Sequence, residues 1–462
     1  MKVSRTKTLL LVNPANKSGT GFIMNKDTRY QPLSLGIIAA LTPSDWKVKI
    51  IDENFRDFRY YEADLVGLTA FSSTISRAYE LAKIYRDKGI PTVIGGIHAS
   101  MCPEEAAEYV DSVVVGEAES SWPQVIRDFE TNNLQRIYKG ALTDLIQSPK
   151  PRRDLFYPGY VFASVQTTRG CPMNCDFCSV TAFNGSQYRY RPIDEVISEM
   201  KEIPQKNIFI LDDNIVGSTA KSQARAIELF KTMIDQGINK NWVSQASLNV
   251  ADNEEVLKYA AKSGCRMLFL GIESEREDQL TGANKKLNVK MGVNSYDDVF
   301  RKIHKYGIAV IAGFIFGWEN DTVERIDHRV KFTRECHADA IQSTMLTPLP
   351  GTKLFDRMKS EGKLVMTNFP EDWKNFGYDT LVFNPLTMDR KELQDYIFKA
   401  YDKVYDPAFL KRRMLKTWWR TGSFIIAYWS YMSNWNYRSM VFGRIKKPRN
   451  WVMDSPFKRK MK

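Results

Sequence analysis

Thr167-Thr168-Arg169-Gly170-Cys171-Pro172-Met173-Asn174-Cys175-Asp176-Phe177-Cys178 brings three cysteines together in what must be a loop, since Gly, Pro and Asn punctuate it. Three thiolates at this CxxxCxxC spacing can hold three corners of a cubane iron–sulfur cluster, and the fourth iron is then left without a protein ligand. An iron with an open position is reactive. The competing assignments are a zinc knuckle or buried free thiols, but zinc wants a fourth protein ligand at short spacing and no His or Cys follows nearby.

Working outward, Phe162–Gln166 reads as a strand leading into the loop. Further strands follow at Ile208–Leu211, Trp242–Ala246, Met267–Leu270, Ala309–Phe316 and Ala340–Leu346. Helical patterns at Ile193–Lys201, Ser222–Gln236, Asn253–Ser263 and Tyr296–Tyr306 alternate with them. Chemistry in (β/α) barrels sits at the carboxyl ends of the strands, and there fall Asp212-Asp213-Asn214, Gln245 and Gly271-Ile272-Glu273-Ser274. A carboxylate at a strand end can accept hydrogen bonds from a ligand's amine or ribose hydroxyls, and Gly271 would let the ligand come close. Asp213 or Asn214 could equally cap the next helix, and Glu273 could pair with Arg266. His304, His328 and His337 lie in helical patterns and receive no role.

Ahead of the barrel, residues 7–17, Val48–Ile51, Leu65–Ala70, Thr92–Ile94 and Ser112–Val115 read as buried parallel strands separated by helical segments at Ser34–Leu41, Ile75–Lys88 and Pro103–Tyr109. The alternation predicts a doubly wound, Rossmann-like parallel sheet, whose ligands bind at the carboxyl ends of the strands. Residues 130–160, with Pro149, Pro151 and Pro158, read as an extended linker. The expected domains are 1–140, a linker 141–160, the barrel 161–385 and a C-terminal helical segment 386–462.

The cluster loop, with its aromatic before the last cysteine, its preceding strand and its Arg-Gly, resembles that of radical S-adenosylmethionine enzymes. The first domain is similar to the cobalamin-binding domain of one large subfamily, through Pro32, Leu35 and Gly36 of a Pro-x-x-Leu-Gly helix, the Gly95-Gly96-x-His98 turn and Gly116-Glu117-x-Glu119. The resemblance implies a partial (β/α)6 barrel in which Cys171, Cys175 and Cys178 hold a [4Fe-4S] cluster and S-adenosylmethionine chelates its open iron. It places Phe177, Asp212, Gln245, Glu273 and Gly313 around S-adenosylmethionine, and Pro32, Leu35, Gly36, Ser72, Ser73, Gly95, Gly96, His98, Gly116 and Glu117 around cobalamin. No Asp-x-His-x-x-Gly pattern is present, so cobalamin would have no protein ligand on its lower face. His98 fits a backbone or tail contact better than a cobalt ligand. The alternative is a first domain that keeps the fold and binds no cobalamin.

With 462 residues and 43% hydrophobic content the chain can bury a large core. Cys102, Cys265 and Cys336 are scattered, so no disulfide framework is expected, and a reducing cytoplasm suits an oxygen-labile cluster. The N-terminus shows no signal peptide pattern. The net charge of +12 is concentrated: residues 411–462 hold fourteen Lys or Arg and one acid, leaving the rest of the chain near neutral. Around Ser423–Met432 this segment is rich in Trp and Tyr but too short in apolar length to span a bilayer. It is expected to lie in the headgroup plane, giving a cytoplasmic protein with peripheral contact at the inner face of a membrane. Packing of the aromatics against the barrel is the main competitor, and nucleic acid is disfavoured for want of a binding module.

The resemblance implies C-methylation of an unactivated carbon, on a hydrophobic small molecule or lipid of isoprenoid type, with a flavodoxin- or ferredoxin-like electron donor. Alternatives are radical carbon–carbon coupling, cyclisation or ring rearrangement over a scaffold first domain. A methylthio-transferring RNA enzyme would show further N-terminal cysteines, and a non-catalytic scaffold is at odds with the polar strand ends.

Overall fold

Leu9, Leu10, Leu11 and Val12 are all buried, on both faces of β1 (Thr8–Asn13), which explains an apolar run without alternation. In the computed structural model, which describes residues 5–16 and 30–442, β1 pairs in parallel with β2 (Lys47–Asp52) and β3 (Leu65–Thr69). The sheet continues through β4 (Thr92–Gly95), β5 (Ser112–Val115) and β6 (Ile137–Lys139), in the order β2-β1-β3-β4-β5-β6. Helices α1 (Leu33–Leu41), α2 (Ile75–Arg86), α3 (Ile97–Met101), α4 (Pro103–Tyr109) and α5 (Trp122–Glu130) connect them. β6 falls in the stretch expected to be linker. Three residues are too few to show alternation, and what seats them is the buried Tyr138, whose hydroxyl donates to Asp128 at 2.8 Å.

The second sheet holds β7 (Phe162–Val165), β10 (Asn207–Ile210), β11 (Asn241–Ala246), β12 (Cys265–Glu273), β13 (Ala309–Phe316) and β14 (Ala340–Met345), all parallel and in sequence order. A short antiparallel hairpin, β8 (Thr168–Arg169) and β9 (Arg189–Tyr190), brackets the cysteine loop. Its helices are α6 (Val180–Asn184), α7 (Ile193–Glu202), α8 (Ala220–Asp235), α9 (Glu254–Lys262), α10 (Glu277–Gly282), α11 (Lys286–Met291), α12 (Tyr296–His304), α13 (Val323–Glu335) and α14 (Lys353–Ser360). α8 is capped by Thr219, whose side chain accepts from Ser222 N, so neither Asp213 nor Asn214 serves as the cap. One continuous apolar core runs from Leu10 and Val66 in the first sheet, through Trp373 and Phe376, to Leu268 and Val310 on the outer face of the second, which fixes the two sheets relative to each other.

β7 and β14 do not pair, so the barrel is open on one side. α17 (Phe424–Phe442) lies along that opening with α16 (Pro407–Thr421) packed on it, while α15 (Arg390–Val404) packs on α13. Ile426 of α17 packs with Val243, Met267 and Ala309 from the amino ends of three strands, and Trp429 meets Phe162 of β7 edge-on, centroids 5.9 Å apart. On the other edge, Asn434 donates to Asp339 O at 2.9 Å and accepts from Ile341 N at 3.0 Å, satisfying two backbone groups that β14 leaves unpaired.

The stretch expected to lie among lipid headgroups is therefore largely a barrel plug. Its polar residues face the protein: Ser430 and Asn434 are buried while Phe424 and Ile425 are exposed. Among the described residues no helix is long and apolar enough to cross a membrane. The basic clusters Lys446–Arg449 and Lys458–Lys460 lie outside the described residues.

Candidate active site

The cysteine loop is held from three sides. Cys171 N donates to Gly185 O at 3.1 Å, Asp176 N to Ala283 O at 3.1 Å, and Leu354 N to Asp176 O at 2.9 Å. Asn284 adds a side-chain bond to Asn174 O at 2.8 Å. Gly170 enters the loop at φ +92°, and a Cβ there would stand 2.1 Å from Gln187 O, so only glycine lets β8 turn this closely.

Cys171, Cys175 and Cys178 are free thiols, each partly covered. Burial raises all three above the ordinary thiol value, Cys178 to about 12. Among the described residues no three His, Cys, Asp or Glu side chains converge where a single ion would sit. A cubane takes one thiolate per iron, and its positive irons would supply the charge that keeps buried thiolates ionised. The donor set fits the cluster.

Asp212, buried at the end of β10, holds the entry to the loop: Thr167 N donates to it at 2.6 Å and Thr168 N at 3.0 Å. Its neighbour Asp213 accepts from Asn184 Nδ2 at 3.2 Å, and burial lifts its carboxyl to about 6. Glu273 ends β12 at φ +64°, a conformation costing about 1–3 kcal/mol, beside a break in the strand register. Its partner is Lys285, whose Nζ donates to Glu273 Oε1 at 2.8 Å; Arg266 is engaged elsewhere, with Asn241. Burial alone would lower the Lys285 ammonium, but Glu273 and Cys175 hold it above its ordinary value. Gly271 makes room for this pair, since a Cβ there would lie 2.5 Å from Glu273 Oε1 and 2.9 Å from Lys285 Nζ.

Beneath Glu273 a buried network fixes two strand ends together. Arg329 donates to Glu275 at 3.0 Å and to Asp321 at 2.8 Å, and Asp321 accepts from Gly317 N and Trp318 N at 2.9 and 3.0 Å. Trp318 packs edge-on against Phe177 of the cysteine loop, centroids 6.4 Å apart. Gly313 gives room to the Phe269 ring, 2.7 Å from where a Cβ would stand. Gln245 is held through its carbonyl, which accepts from Ile215 N at 3.0 Å.

The ligand end of the first sheet faces this loop. α3 meets α6, Met101 covers Gly351 after β14, and Ser72–Thr74 meets Glu371–Asn375. Arg169 Nη2 donates to Glu119 at 2.6 Å while its Nη1 lies 3.4 Å from Glu117; Arg189 takes Glu117 with two nitrogens. His98 is buried, with Nδ1 2.9 Å from Ser72 Oγ, Nε2 3.4 Å from Glu105, and its ring edge-on to Trp373. Gly96 and Gly116 take φ +93° and +80°, close to Thr69 and Gly140.

Leu35 lies in the core between α1 and the sheet, Pro32 precedes α1, and Gly36 packs under Phe156 and Pro151 of the connecting segment. Gly95, Ser73 and the exposed Phe71, 65% accessible, stand at the carboxyl ends of β4 and β3. A flat macrocycle could lie against the Phe71 ring, and with His98 committed inside the domain no imidazole is offered to a metal. This fits cobalamin held by contacts rather than by a cobalt ligand. Lys285 and Arg189 escaped the sequence reading, and of the two only Arg189, near the cysteines in sequence, carried any local signal; Phe71 stands in the strand end at residues 69–73, expected from the sequence to face the ligand.

Comparison with known proteins agrees with this arrangement. Residues 165–333 match the radical SAM superfamily and residues 23–126 the B12 binding domain. The chain is 29% identical to bacteriochlorophyllide d C-8(2)-methyltransferase of Chlorobaculum tepidum over 83% of its own length and 88% of the relative's. It is 26% identical to the hopanoid C-2 methylase of Rhodopseudomonas palustris, over 72% of this chain and 65% of that one. Its fold superimposes with TM-score 0.70, at 15% identity, on the radical S-adenosylmethionine methyltransferase TsrM of Kitasatospora setae, solved with cobalamin and a [4Fe-4S] cluster, covering 96% of this chain and 100% of that one.

Proposed function

We propose, from the premise that this chain belongs to the radical S-adenosylmethionine enzymes that carry a cobalamin-binding domain, that it methylates an unactivated carbon of a hydrophobic, lipid- or isoprenoid-like substrate. Its cofactors are a [4Fe-4S] cluster, S-adenosylmethionine and cobalamin. When bound, they supply an adenosyl radical made by reductive cleavage and a transferable methyl group.

The protein's own work is holding and shielding. Cys171, Cys175 and Cys178 would hold the cluster, and Asp212 keeps their loop in place through Thr167 and Thr168. The Glu273–Lys285 pair presents one negative and one positive group beside that loop, matching the ammonium and carboxylate of an amino-acid ligand. Phe177 and Trp318 cover the loop's apolar side. Ser72, Ser73, Gly95, Gly96, Phe71 and the Gly116-Glu117 turn would cradle cobalamin against the barrel.

One observation carries the reading: the ligand end of the first sheet is locked onto the cysteine loop by Arg169 and Arg189 through Glu117 and Glu119. Two cofactors held at these two ends would face one shared space, as transfer from one site to the other requires. The methylase relatives support the methyl outcome, and the hopanoid methylase supports a lipid-like acceptor. The same reading includes a flavodoxin- or ferredoxin-like donor and peripheral contact with the inner face of a membrane through residues 411–462.

The test is anaerobic reconstitution with iron, sulfide and hydroxocobalamin, a cobalt and iron count, and incubation with methyl-labelled S-adenosylmethionine and a lipid extract. Label in lipid supports the proposal. Label only in peptides or soluble metabolites overturns the substrate class, and cleavage of S-adenosylmethionine with no methylated product points to coupling, cyclisation or ring rearrangement.

A further inference from the structure

The described residues include fifteen large hydrophobic side chains left exposed, and five of them fall within one eleven-residue corner: Leu415, Trp418, Trp419, Phe424 and Ile425, at 56, 47, 88, 53 and 65% accessibility. Single exposed hydrophobics are ordinary; a contiguous group at a protruding turn is not. The corner is built by design of the chain. α16 ends at Gly422 in the left-handed conformation, α17 restarts within two residues, and Trp418 packs edge-on to Phe424 at 5.5 Å, so the apolar side chains of both helices are held together.

The inner face of the same helix pair is anchored. Thr417 donates to Asp339 at 2.8 Å, Arg420 to His337 O at 3.0 Å, and the buried Arg413 to Thr333 O. The outer face is left with Lys411, Arg412 and Lys416, exposed and without an ion-pair partner among the described residues. No Asp or Glu occurs between Pro407 and Phe442. Exposed indoles on a helix that also carries three exposed cations, with no acid in the helix pair to neutralise them, match a surface that is greasy below and anionic at its rim.

We infer that this corner is a wedge that docks the enzyme onto an anionic lipid bilayer, with Trp418, Trp419, Phe424 and Ile425 entering the headgroup layer and Lys411, Arg412 and Lys416 meeting lipid phosphates. The inference sharpens the membrane contact proposed above and does not depend on the methyl-transfer reading. It also moves that contact: Ile426 and Trp429 pack against the barrel strands, and the wedge is the turn before them. Because Ile426 packs at the amino ends of β11, β12 and β13, the wedge lies at the end of the barrel opposite the cysteine loop. The bilayer would hold the enzyme by its closed end.

The test is sedimentation of the full chain with phosphatidylcholine vesicles with and without phosphatidylglycerol, at low and high salt. The wild type should bind the anionic vesicles only. The Trp419→Ser/Ile425→Ser variant should bind them about tenfold more weakly or worse, and Lys411→Gln/Lys416→Gln should weaken binding and flatten its salt dependence. Unchanged thermal unfolding and iron retention would show that these exposed substitutions leave the fold intact. Wild-type protein that ignores anionic vesicles overturns the inference. So does full binding by the Trp419→Ser/Ile425→Ser variant, which would assign the attraction to the Lys and Arg of residues 443–462. A self-associated wild type that this variant renders monomeric, with vesicle binding unaltered, would make the corner an interface between copies. Methyl transfer to a detergent-dispersed substrate should be the same in wild type and variant, so failure here and failure of the proposed chemistry are separable.

Discussion

Arg189 grips Glu117 with both ends of its guanidinium, Nη1 2.8 Å from Oε2 and Nη2 2.5 Å from Oε1, joining the hairpin around the cysteine loop to the ligand end of the first sheet. The pair is nearly dry, and Thr143 N adds a third donor to Glu117 at 2.6 Å. Such a two-point pair fixes orientation as well as distance.

Burial would raise the Glu117 carboxyl, but Arg189 and Arg169 more than reverse this and hold it below its ordinary value of 4.5. A carboxyl depressed on folding contributes stability that is complete above the unfolded value and is lost as pH falls through the folded one. Arg189→Met should destabilise the protein by about 3 kcal/mol at neutral pH, the low end for a broken buried pair, since Arg169 still faces Glu117. Thermal unfolding across pH should show the gap between wild type and variant closing below 4.5, the ordinary value.

Glu273→Gln and Lys285→Met each break the pair beside the cysteine loop. Each should weaken S-adenosylmethionine binding by about tenfold, the scale of one charge-assisted hydrogen bond. Calorimetric titration of iron-loaded protein measures this. The double variant should lose less than the product of the two, because the groups act as a unit.

Gly170→Ala tests the turn that admits the cysteines. A left-handed alanine whose Cβ meets Gln187 O at 2.1 Å must move backbone rather than a flexible side chain. A local cost of about 1–3 kcal/mol is expected, seen as lower iron per chain after reconstitution and a matching loss of S-adenosylmethionine cleavage. Cys102→Ser, distant from the loop in sequence and placed at the start of α4, should retain full iron.

Asn434→Leu tests the plug. It strands Ile341 N and Asp339 O, two backbone groups buried under α17. The expected cost is about 1–3 kcal/mol for each unsatisfied group, read as a lower urea midpoint at unchanged slope.

The strands were legible because residues such as Leu9–Val12 and Ala309–Phe316 are covered on both faces and so form unbroken apolar runs. The thiol loop was legible because its three cysteines are neighbours in the chain. Lys285 was not: nothing in Ala283-Asn284-Lys285-Lys286 distinguishes the first lysine from the second until the fold sets one against Glu273. Nor was the direction of α17. Ser430 and Asn434, one turn apart, look like a solvated stripe, and only the unpaired edge of β14 makes them the buried face. The arginine partners of Glu117 were not legible either, because Arg169 and Arg189 lie beyond the linker in sequence.

α17 also sets an order of events. Ile426 and Trp429 complete a core whose other members, from Phe162 to Ile311, are made more than a hundred residues earlier. During synthesis the barrel strands can pair, yet their bore stays open until the last helices arrive. Iron delivered before then would meet a loop whose supporting barrel is unfinished, so cluster insertion should follow the docking of α17, not precede it.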